Sequence, residues 1–191
     1  MIISRILAPV HSLGPDERIV LWVQGCKKRC IGCIAEDLQE KSEQSIGDDT
    51  LAMLLIRFSS IKNCKAITIS GGDPFEQSVS LLTLLQTVRN VFDDILVYTG
   101  YTIEEIQNGC EGTNGVKCLD YIDVLIDGRY VDELNTSECV MRGSSNQKIH
   151  FLNKSLKLKY SEYMAKGRII ENFVLDDTTI VTGIVDREGK G

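Results

Sequence analysis

Four short runs of β-branched and other apolar residues recur along the chain, and each of them ends at a glycine or a polar loop. They cover residues 18–23, 66–69, 95–98 and 123–126. Runs of this length and composition, bounded by turn residues, predict β-strands. They contain few polar positions, and near-continuous apolar strands are typical of a parallel sheet with both faces covered by helices.

Helical signals lie between the predicted strands. Asp48 or Asp49 can cap a helix that runs through Phe58, and residues 76–91 carry leucines at one-turn spacing. Thr102 and Glu105 have the spacing of a capping box, which marks the start of a third helix. Strands that alternate with helices predict an α/β fold, in which a parallel sheet is connected by helical crossovers.

The last part of the chain has a different pattern. Residues 168–175 and 178–185 have the composition of two strands with no helix between them, joined at Asp176 and Asp177. This pattern predicts a C-terminal β-hairpin that is an appendage to the core. With three prolines and no low-complexity linker in 191 residues, we expect one domain over 1–191, comprising a core at 1–152 and an extension at 153–191.

Composition and charge exclude several functional classes. With 43% hydrophobic and 25% charged residues, the chain has the composition of a globular protein. Its longest apolar runs, 19–23 and 51–56, are far shorter than the roughly 20 residues that cross a bilayer. The first 15 residues lack the apolar core and cleavage site of a signal peptide, so we expect a cytoplasmic location. A net charge of −6 argues against sequence-independent nucleic-acid binding.

Each predicted strand of the core is followed by a motif that can contact a ligand. The motifs are a cysteine cluster, Gly71-Gly72-Asp73, Thr99-Gly100 and Asp127-Gly128. In parallel α/β sheets and barrels, ligands bind in the crevice beyond the carboxyl ends of the strands. We therefore expect these four motifs to converge on one site.

The cysteine cluster points to metal chemistry. Cys26, Cys30 and Cys33 form a C-x3-C-x2-C motif, whereas the other four of the seven cysteines are scattered. Three thiolates at this spacing can hold three irons of a [4Fe–4S] cluster, and the fourth iron then has no protein ligand. An open metal position is where an exogenous molecule can react. A zinc site completed by His11, or three unconnected thiols, are the alternatives.

The cysteine spacing is that of the radical S-adenosylmethionine superfamily, and further segments resemble one of its branches. These segments are Gly14-Pro15 and residues 19–26, 70–75, 98–101, 123–128 and 142–147. From about Met1 to Leu152 the chain resembles the activating enzymes of anaerobic ribonucleotide reductase. The segment Arg142-Gly143-Ser144-Ser145-Asn146-Gln147 most separates this branch from other activating enzymes.

The resemblance implies a fold, a reaction and partners. The fold is a partial (β/α) barrel. In these enzymes the open iron binds the amino and carboxylate groups of S-adenosylmethionine, and reductive cleavage yields methionine and a 5′-deoxyadenosyl radical. The radical removes a hydrogen from a glycine of a large glycyl-radical protein. A flavodoxin-like or ferredoxin-like donor is expected to supply the electron.

Three other functions stay open on the sequence alone. The chain could activate another glycyl-radical enzyme, of the pyruvate formate-lyase type, or modify a peptide substrate; both functions share the cofactor chemistry. A non-enzymatic zinc or electron-transfer module is an alternative of a different class. Iron content and cofactor cleavage distinguish that module from the enzymes.

The resemblance also assigns roles to residues near the strand ends. Gly71-Gly72-Asp73 matches the loop that contacts the amino group of the methionine moiety. The alternative is a tight turn in which Asp73 caps the next helix. Beside the cluster ligand Cys33, Gly32 is expected to contact the adenine through its backbone, and Ile31 to supply an apolar wall.

Later motifs are expected to add further cofactor contacts. Thr99, Gly100 and Asp127 are candidates for contacts to the nucleoside hydroxyls or the methionine part, or they belong to ordinary turns. Arg142 and Asn146 offer a planar guanidinium and an amide, which suit either the cofactor's carboxylate or the backbone of the partner protein.

A basic step of three residues, Lys27, Lys28 and Arg29, lies inside the cysteine motif. In an acidic protein, such a step is expected either to attract the acidic face of an electron donor or simply to be solvated surface. The remaining cysteines, the two histidines and Trp22 are expected to be structural residues.

Overall fold

A six-stranded sheet forms the centre of the computed structural model, which describes residues 1–175 and 178–185. Its strands are β1 (Ile3–Val10), β2 (Arg18–Val23), β3 (Ala66–Gly71), β4 (Asp94–Tyr98), β5 (Val124–Asp127) and β6 (Lys148–Phe151). They lie side by side in chain order, so β1 and β6 form the two edges. Strands β2 to β5 are parallel, and both edge strands pair antiparallel with their neighbours.

The four strands predicted from the sequence are confirmed as β2 to β5. Every residue of β2 and of β5 is buried, which explains why their sequences are almost continuously apolar. The pattern does not reveal the edge strands. β1 is only partly buried and contains Arg5, and β6 has just four residues, among them Lys148 and His150. Short edge strands with polar residues give a weak strand signal.

Helices connect the parallel strands, as expected for an α/β fold. They are α1 (Asp48–Lys62), α2 (Ser78–Val88), α3 (Ile103–Gln107), α4 (Gly112–Cys118) and, after β6, α5 (Lys157–Met164). The capping box is confirmed, because Thr102 Oγ1 accepts a hydrogen bond from the Glu105 N–H and the Glu105 carboxylate accepts one from the Thr102 N–H. The helix predicted over 76–91 is divided into a 3-10 turn, Pro74–Gln77, and α2.

The predicted start of α1 is wrong in one respect. Gly47 is the N-cap residue, and the Asp48 carboxylate instead accepts a hydrogen bond from the terminal ammonium of Met1 at 2.7 Å. This ion pair anchors the beginning of the chain beside the helix. The helix also continues beyond Phe58 and ends at Lys62, where Asn63 adopts a left-handed conformation with φ 53°.

Apolar layers cover both faces of the sheet. On one face, leucines of α1 and α2 pack on alternate residues of the parallel strands, among them Leu51, Leu55, Leu81, Leu85, Ile19, Ile67 and Ile95. On the other face, the buried residues include Leu7, Val20, Trp22, Leu96, Ile126, Tyr160 and Ile184. Within the described ranges, no helix combines the length and the apolar character needed to cross a membrane.

The predicted C-terminal hairpin is confirmed as β7 (Ile170–Leu175) and β8 (Thr178–Gly183), which pair antiparallel in a separate sheet. Its predicted turn, Asp176-Asp177, lies outside the described residues. The hairpin packs against the segment after β1. The backbone N–H groups of His11 and Ser12 donate to Glu171 Oε2 at 2.8 and 2.7 Å, and the hydroxyls of Ser12 and Thr182 lie 2.8 Å apart.

A buried ion pair joins the starts of β2 and β4 to the C-terminal extension. The Arg18 guanidinium donates two hydrogen bonds to Asp94, at 3.0 and 3.2 Å, and the Tyr160 hydroxyl of α5 donates another at 2.7 Å. Burial alone raises the pKa of Asp94, but Arg18 and the hydrogen bonds outweigh burial and hold it below its ordinary value. The ion pair therefore ties α5 to the sheet.

Candidate cluster and cofactor site

A cavity of about 420 Å³ lies at the carboxyl ends of the parallel strands. Its lining comes from the loops after β2, β3, β4 and β5, and from the end of the C-terminal hairpin. Cys26, Cys30, Cys33, Gly71, Gly72, Asp73, Thr99, Gly100 and Gly128 are all among the lining residues. The four strand-end motifs thus meet at the carboxyl ends of the parallel strands.

The three clustered cysteines are free thiols and partly buried. Burial raises the pKa of Cys26, although a hydrogen bond from the Lys28 backbone acts in the opposite direction. In the part of the chain that the structure describes, no three His, Cys, Asp or Glu side chains converge closely enough to hold a single metal ion. A cubane does not require such convergence, because each thiolate binds a different iron. The donor set and its shared cavity therefore fit a [4Fe–4S] cluster.

The cluster loop and the Gly-Gly-Asp loop are in backbone contact. The Gly72 N–H donates to the Val23 carbonyl at 2.8 Å, and the Asp73 N–H donates to the Gly25 carbonyl at 2.9 Å. A Cβ on Gly72 would lie only 2.4 Å from the Gly25 carbonyl oxygen. Gly71 has φ +109°, and a Cβ there would lie 2.3 Å from the Val23 carbonyl oxygen. Both glycines are needed for the close approach of the two loops.

Replacing Gly72 by alanine is expected to force these two loops apart and to destabilise the apoprotein by about 1–3 kcal/mol, because the added methyl meets rigid backbone. Reconstituted protein is expected to retain less iron. Urea denaturation and an iron assay measure the two effects. Gly115→Ala within α4 is the control, since a Cβ there lies 3.4 Å from Glu111 Cβ, an ordinary contact, and alanine is favoured over glycine inside a helix. Equal stability and iron content in both variants would contradict this explanation of Gly72.

Asp73 is fully buried, and its carboxylate is already surrounded by donors. It accepts hydrogen bonds from the Phe75 N–H at 3.1 Å, from Thr99 Oγ1 at 2.8 Å and from the Gly100 N–H at 2.9 Å. The Lys28 ammonium donates a further bond at 2.7 Å. Asp73 therefore caps the 3-10 turn that follows it, and Thr99 and Gly100 contact the same carboxylate.

The structure corrects the interpretation of the basic step. The Lys28 side chain is only 4% exposed, because its ammonium is inserted next to Asp73. Lys27 and Arg29 do lie at the surface, with side chains 73% and 52% exposed, and Arg29 forms an ion pair with Glu40. Only two of the three basic residues are thus available to a protein that approaches the loop.

Several predicted cofactor contacts lie beside the cavity and do not line it. The Asp127 carboxylate, 2% exposed, accepts a hydrogen bond from the Ile103 N–H and lies 2.9 Å from His150 Nε2. Ile31 is 88% exposed, and Gly32 packs close to Asp132, whose Oδ1 would be 2.7 Å from an added Cβ. Neither residue is among the described lining residues.

Side chains of the segment after residue 141 bond to its own backbone and to that of the loop after β5. Arg142 donates to the Gln147 carbonyl at 3.1 Å, and Asn146 Nδ2 donates to the Arg129 carbonyl at 2.8 Å. The cavity is instead lined by Gly143 and Gln147 of this segment. Gln147 Nε2 donates to the Gly128 carbonyl at 2.8 Å, which links the segment to the loop after β5. His11, the candidate fourth zinc ligand, is not among the described lining residues.

Sequence reasoning missed one wall of the cavity. Residues 181–185, at the end of the hairpin, line it together with Trp22, Tyr98 and Tyr130. Trp22 is buried in the core, as expected, and also faces the cavity. Nothing in the local pattern of the hairpin indicates this position, because the contact joins residues far apart in the chain.

Most of the chain is similar in sequence to known proteins. A family model described as a 4Fe-4S single cluster domain matches residues 12–150. The similar relatives include proteins named anaerobic ribonucleoside-triphosphate reductase-activating protein. The Haemophilus influenzae protein is 35% identical over 145 residues, which cover 72% of this chain and 89% of the relative. The Escherichia coli K12 protein is 34% identical over 152 residues, covering 73% and 91%. The protein of phage T4 is 31% identical over 140 residues, covering 71% and 85%.

The matched segment of the family model includes all three cysteines, the Gly-Gly-Asp loop and Thr99-Gly100. The identity to these relatives extends over most of both chains. The chain therefore belongs to the family of anaerobic ribonucleoside-triphosphate reductase-activating proteins.

Proposed function

We propose that this protein is a radical S-adenosylmethionine enzyme that generates a glycyl radical on anaerobic ribonucleotide reductase. The observation that carries the proposal is that three free thiols share one cavity with the Gly-Gly-Asp loop and the Thr99-Gly100 turn. The names of the relatives supply the reductase as the partner. The parallel strands with their ligand site at the carboxyl ends support a partial (β/α) barrel.

Cys26, Cys30 and Cys33 are the proposed cluster ligands. When bound there, a [4Fe–4S] cluster supplies the electron that cleaves S-adenosylmethionine to methionine and a 5′-deoxyadenosyl radical, which takes a hydrogen atom from a glycine of the reductase. The cavity volume of about 420 Å³ lies within the range of small-molecule sites. Trp22 and Ile184 give the cavity apolar walls that exclude water.

Asp73 is the proposed acceptor for the amino group of the methionine moiety. Its carboxylate is held in place by the Phe75 and Gly100 N–H groups and by the Thr99 hydroxyl, so its orientation is fixed before a ligand binds. A fixed acceptor reduces the entropy that is lost on binding. Cofactor contacts at Ile31, Gly32, Asp127, Arg142 and Asn146 stay predictions.

Anaerobic reconstitution tests the proposal. We expect a brown protein with about four irons per chain, and 5′-deoxyadenosine after reduction in the presence of S-adenosylmethionine. After mixing with anaerobic ribonucleotide reductase, electron paramagnetic resonance should show a glycyl doublet on the reductase. A colourless protein with one zinc would instead support the non-enzymatic module. A doublet on pyruvate formate-lyase alone would identify a different partner, and cleavage with no radical on either protein would favour a peptide substrate.

An electron donor of flavodoxin or ferredoxin type completes the proposed reaction, and Lys27 is the most exposed cation of the cluster loop. Lys27→Glu is expected to slow flavodoxin-driven reduction several-fold at low ionic strength, because like charges slow the encounter. Reduction by dithionite should not change. Stopped-flow absorbance measures both rates, with the exposed Lys117→Glu on α4 as the control. Equal slowing by both reductants would contradict a docking role for Lys27.

A further inference from the structure

The ammonium of Lys28 occupies a pocket that is built for an alkylammonium group. It donates to Asp73 Oδ2 at 2.7 Å and lies 3.1 Å from the centroid of the Tyr101 ring. A carboxylate on one side and an aromatic face on the other are a common arrangement for binding a cation. The Lys28 side chain is buried even though both neighbours of this residue are exposed.

Two backbone features let the Lys28 side chain enter this pocket. A Cβ on Gly100 would lie 2.4 Å from Lys28 Cδ, so only a glycine leaves room for the alkyl chain. The next residue in the loop, Arg29, has φ 48°, a left-handed conformation that costs a non-glycine residue about 1–2 kcal/mol. The loop thus holds a strained residue directly after the inserted Lys28.

The charge around Lys28 is not balanced. Asp73 and Glu76 both have fully buried side chains, and the Lys28 ammonium lies 4.0 Å from Glu76 Oε1 as well as 2.7 Å from Asp73. Glu76 Oε1 accepts a hydrogen bond from the Lys27 N–H at 2.5 Å, whereas Oε2 has no hydrogen-bond partner among the described residues. The Lys27 ammonium also lies 4.0 Å from Glu76 Oε2, but its side chain is exposed to solvent. Among the buried groups, one cation therefore faces two carboxylates, and this local negative charge attracts a positively charged ligand.

We propose that Lys28 is an internal occupant of the amino-group subsite, and that S-adenosylmethionine displaces it into solvent on binding. This inference rests on the proposed function, in which Asp73 accepts the amino group of the ligand. The ammonium of Lys28 and the amino group of the ligand compete for the same carboxylate oxygen. Because Lys28 lies between Cys26 and Cys30, its release also changes the conformation of the cluster loop when the ligand enters.

Competition lowers the apparent affinity for the ligand. A ligand that binds only the open form has its apparent affinity reduced by the fraction of molecules in which Lys28 is released. Lys28→Met removes the ammonium, shortens the side chain by one heavy atom and abolishes the competition. The two carboxylates then stay available to the positively charged ligand.

Amine labelling of the wild-type protein tests the displacement directly. Reconstituted full-length protein is kept oxidised so that no cleavage occurs, pulsed with an amine-acylating reagent with and without S-adenosylmethionine, and analysed by mass spectrometry. Lys27, on the same loop, is the internal reference. We expect the ligand to raise the acylation of Lys28 relative to Lys27 several-fold. Methylthioadenosine, which lacks the amino-acid part, should leave the ratio unchanged.

Calorimetric titration of the oxidised, reconstituted protein gives a second readout. S-adenosylmethionine is expected to bind Lys28→Met about fivefold or more tightly than wild type, whereas the affinity of methylthioadenosine stays the same. Lys27→Met is the matched control and should bind both ligands as the wild type does.

The outcomes separate this inference from the proposed function. One outcome is that S-adenosylmethionine binds the wild type but leaves Lys28 protected, or that it binds Lys28→Met more weakly. Lys28 is then a structural residue that stays bound to Asp73, so the displacement is refuted while the proposed function stands. If S-adenosylmethionine does not bind reconstituted wild-type protein at all, both are overturned.

Discussion

Cys30→Ala is expected to abolish both iron retention and cleavage of S-adenosylmethionine. The three cysteines of the motif line one cavity, and the loss of one thiolate from a set of three leaves two irons of the cubane without a protein ligand. After anaerobic reconstitution, an iron assay and chromatographic detection of 5′-deoxyadenosine measure the two losses. We expect iron well below one cluster per chain and no detectable product.

Cys110→Ala is the matched control for this experiment. Cys110 is an exposed free thiol on the segment between α3 and α4, and it is not among the described cavity-lining residues. The control should retain the iron and the activity of the wild type. If Cys30→Ala keeps a full cluster and normal cleavage, Cys30 is not a ligand and the proposed cluster site is wrong.

Arg18→Met is expected to lower the free energy of unfolding by about 3–5 kcal/mol, because it leaves the Asp94 carboxylate buried without its main partner. We expect the lower end of this range, since Lys159 Nζ lies 3.4 Å from Asp94 and the Tyr160 hydroxyl still donates to it. Urea denaturation of the reduced apoprotein measures the change. Arg29→Met is the control, because the ion pair of Arg29 with Glu40 is exposed and should contribute little.

The same pair predicts a dependence of stability on pH. The pKa of Asp94 is lower in the folded protein than its ordinary value, so its contribution to stability is complete above the ordinary carboxyl pKa of about 3.9. That contribution is lost as the pH falls from there through the lower folded value. In Arg18→Met this acid-side loss should largely disappear. An unchanged unfolding free energy across pH in both proteins would show that the pair does not stabilise the fold.

Local sequence patterns predict those parts of the fold that depend on local physics. Strands β2 to β5 are buried on both faces and therefore apolar at almost every position, and the Thr102–Glu105 box satisfies backbone donors within one turn. Edge strands β1 and β6 lack that constraint, since one side of each is exposed and tolerates polar residues. Their pairing depends on contacts with the neighbouring strand, which a local pattern does not contain.

In the candidate site, too, local sequence predicts some features, whereas others depend on contacts between distant residues. The cysteines and the glycine-containing loops after the strands could be predicted to lie together, because parallel strands place their carboxyl ends on the same side of the sheet. The position of Lys28 could not, since a basic step is ordinarily solvated and its burial requires Asp73, Gly100 and Tyr101 from two other loops. The Asp73 carboxylate likewise accepts more hydrogen bonds than a helix cap requires. Its donors Thr99 and Gly100 follow another strand, so only the folded structure identifies them as partners of Asp73.

The hairpin that completes the cavity has a consequence for biosynthesis. The cysteines leave the ribosome early, whereas residues 181–185, which line the same cavity, are translated much later. A nascent chain that has exposed only the thiolate motif presents these sulfurs to bulk water and to oxidants. Insertion of the proposed cluster is therefore expected to follow the synthesis of residues 181–185, because only then is the lining of the cavity complete.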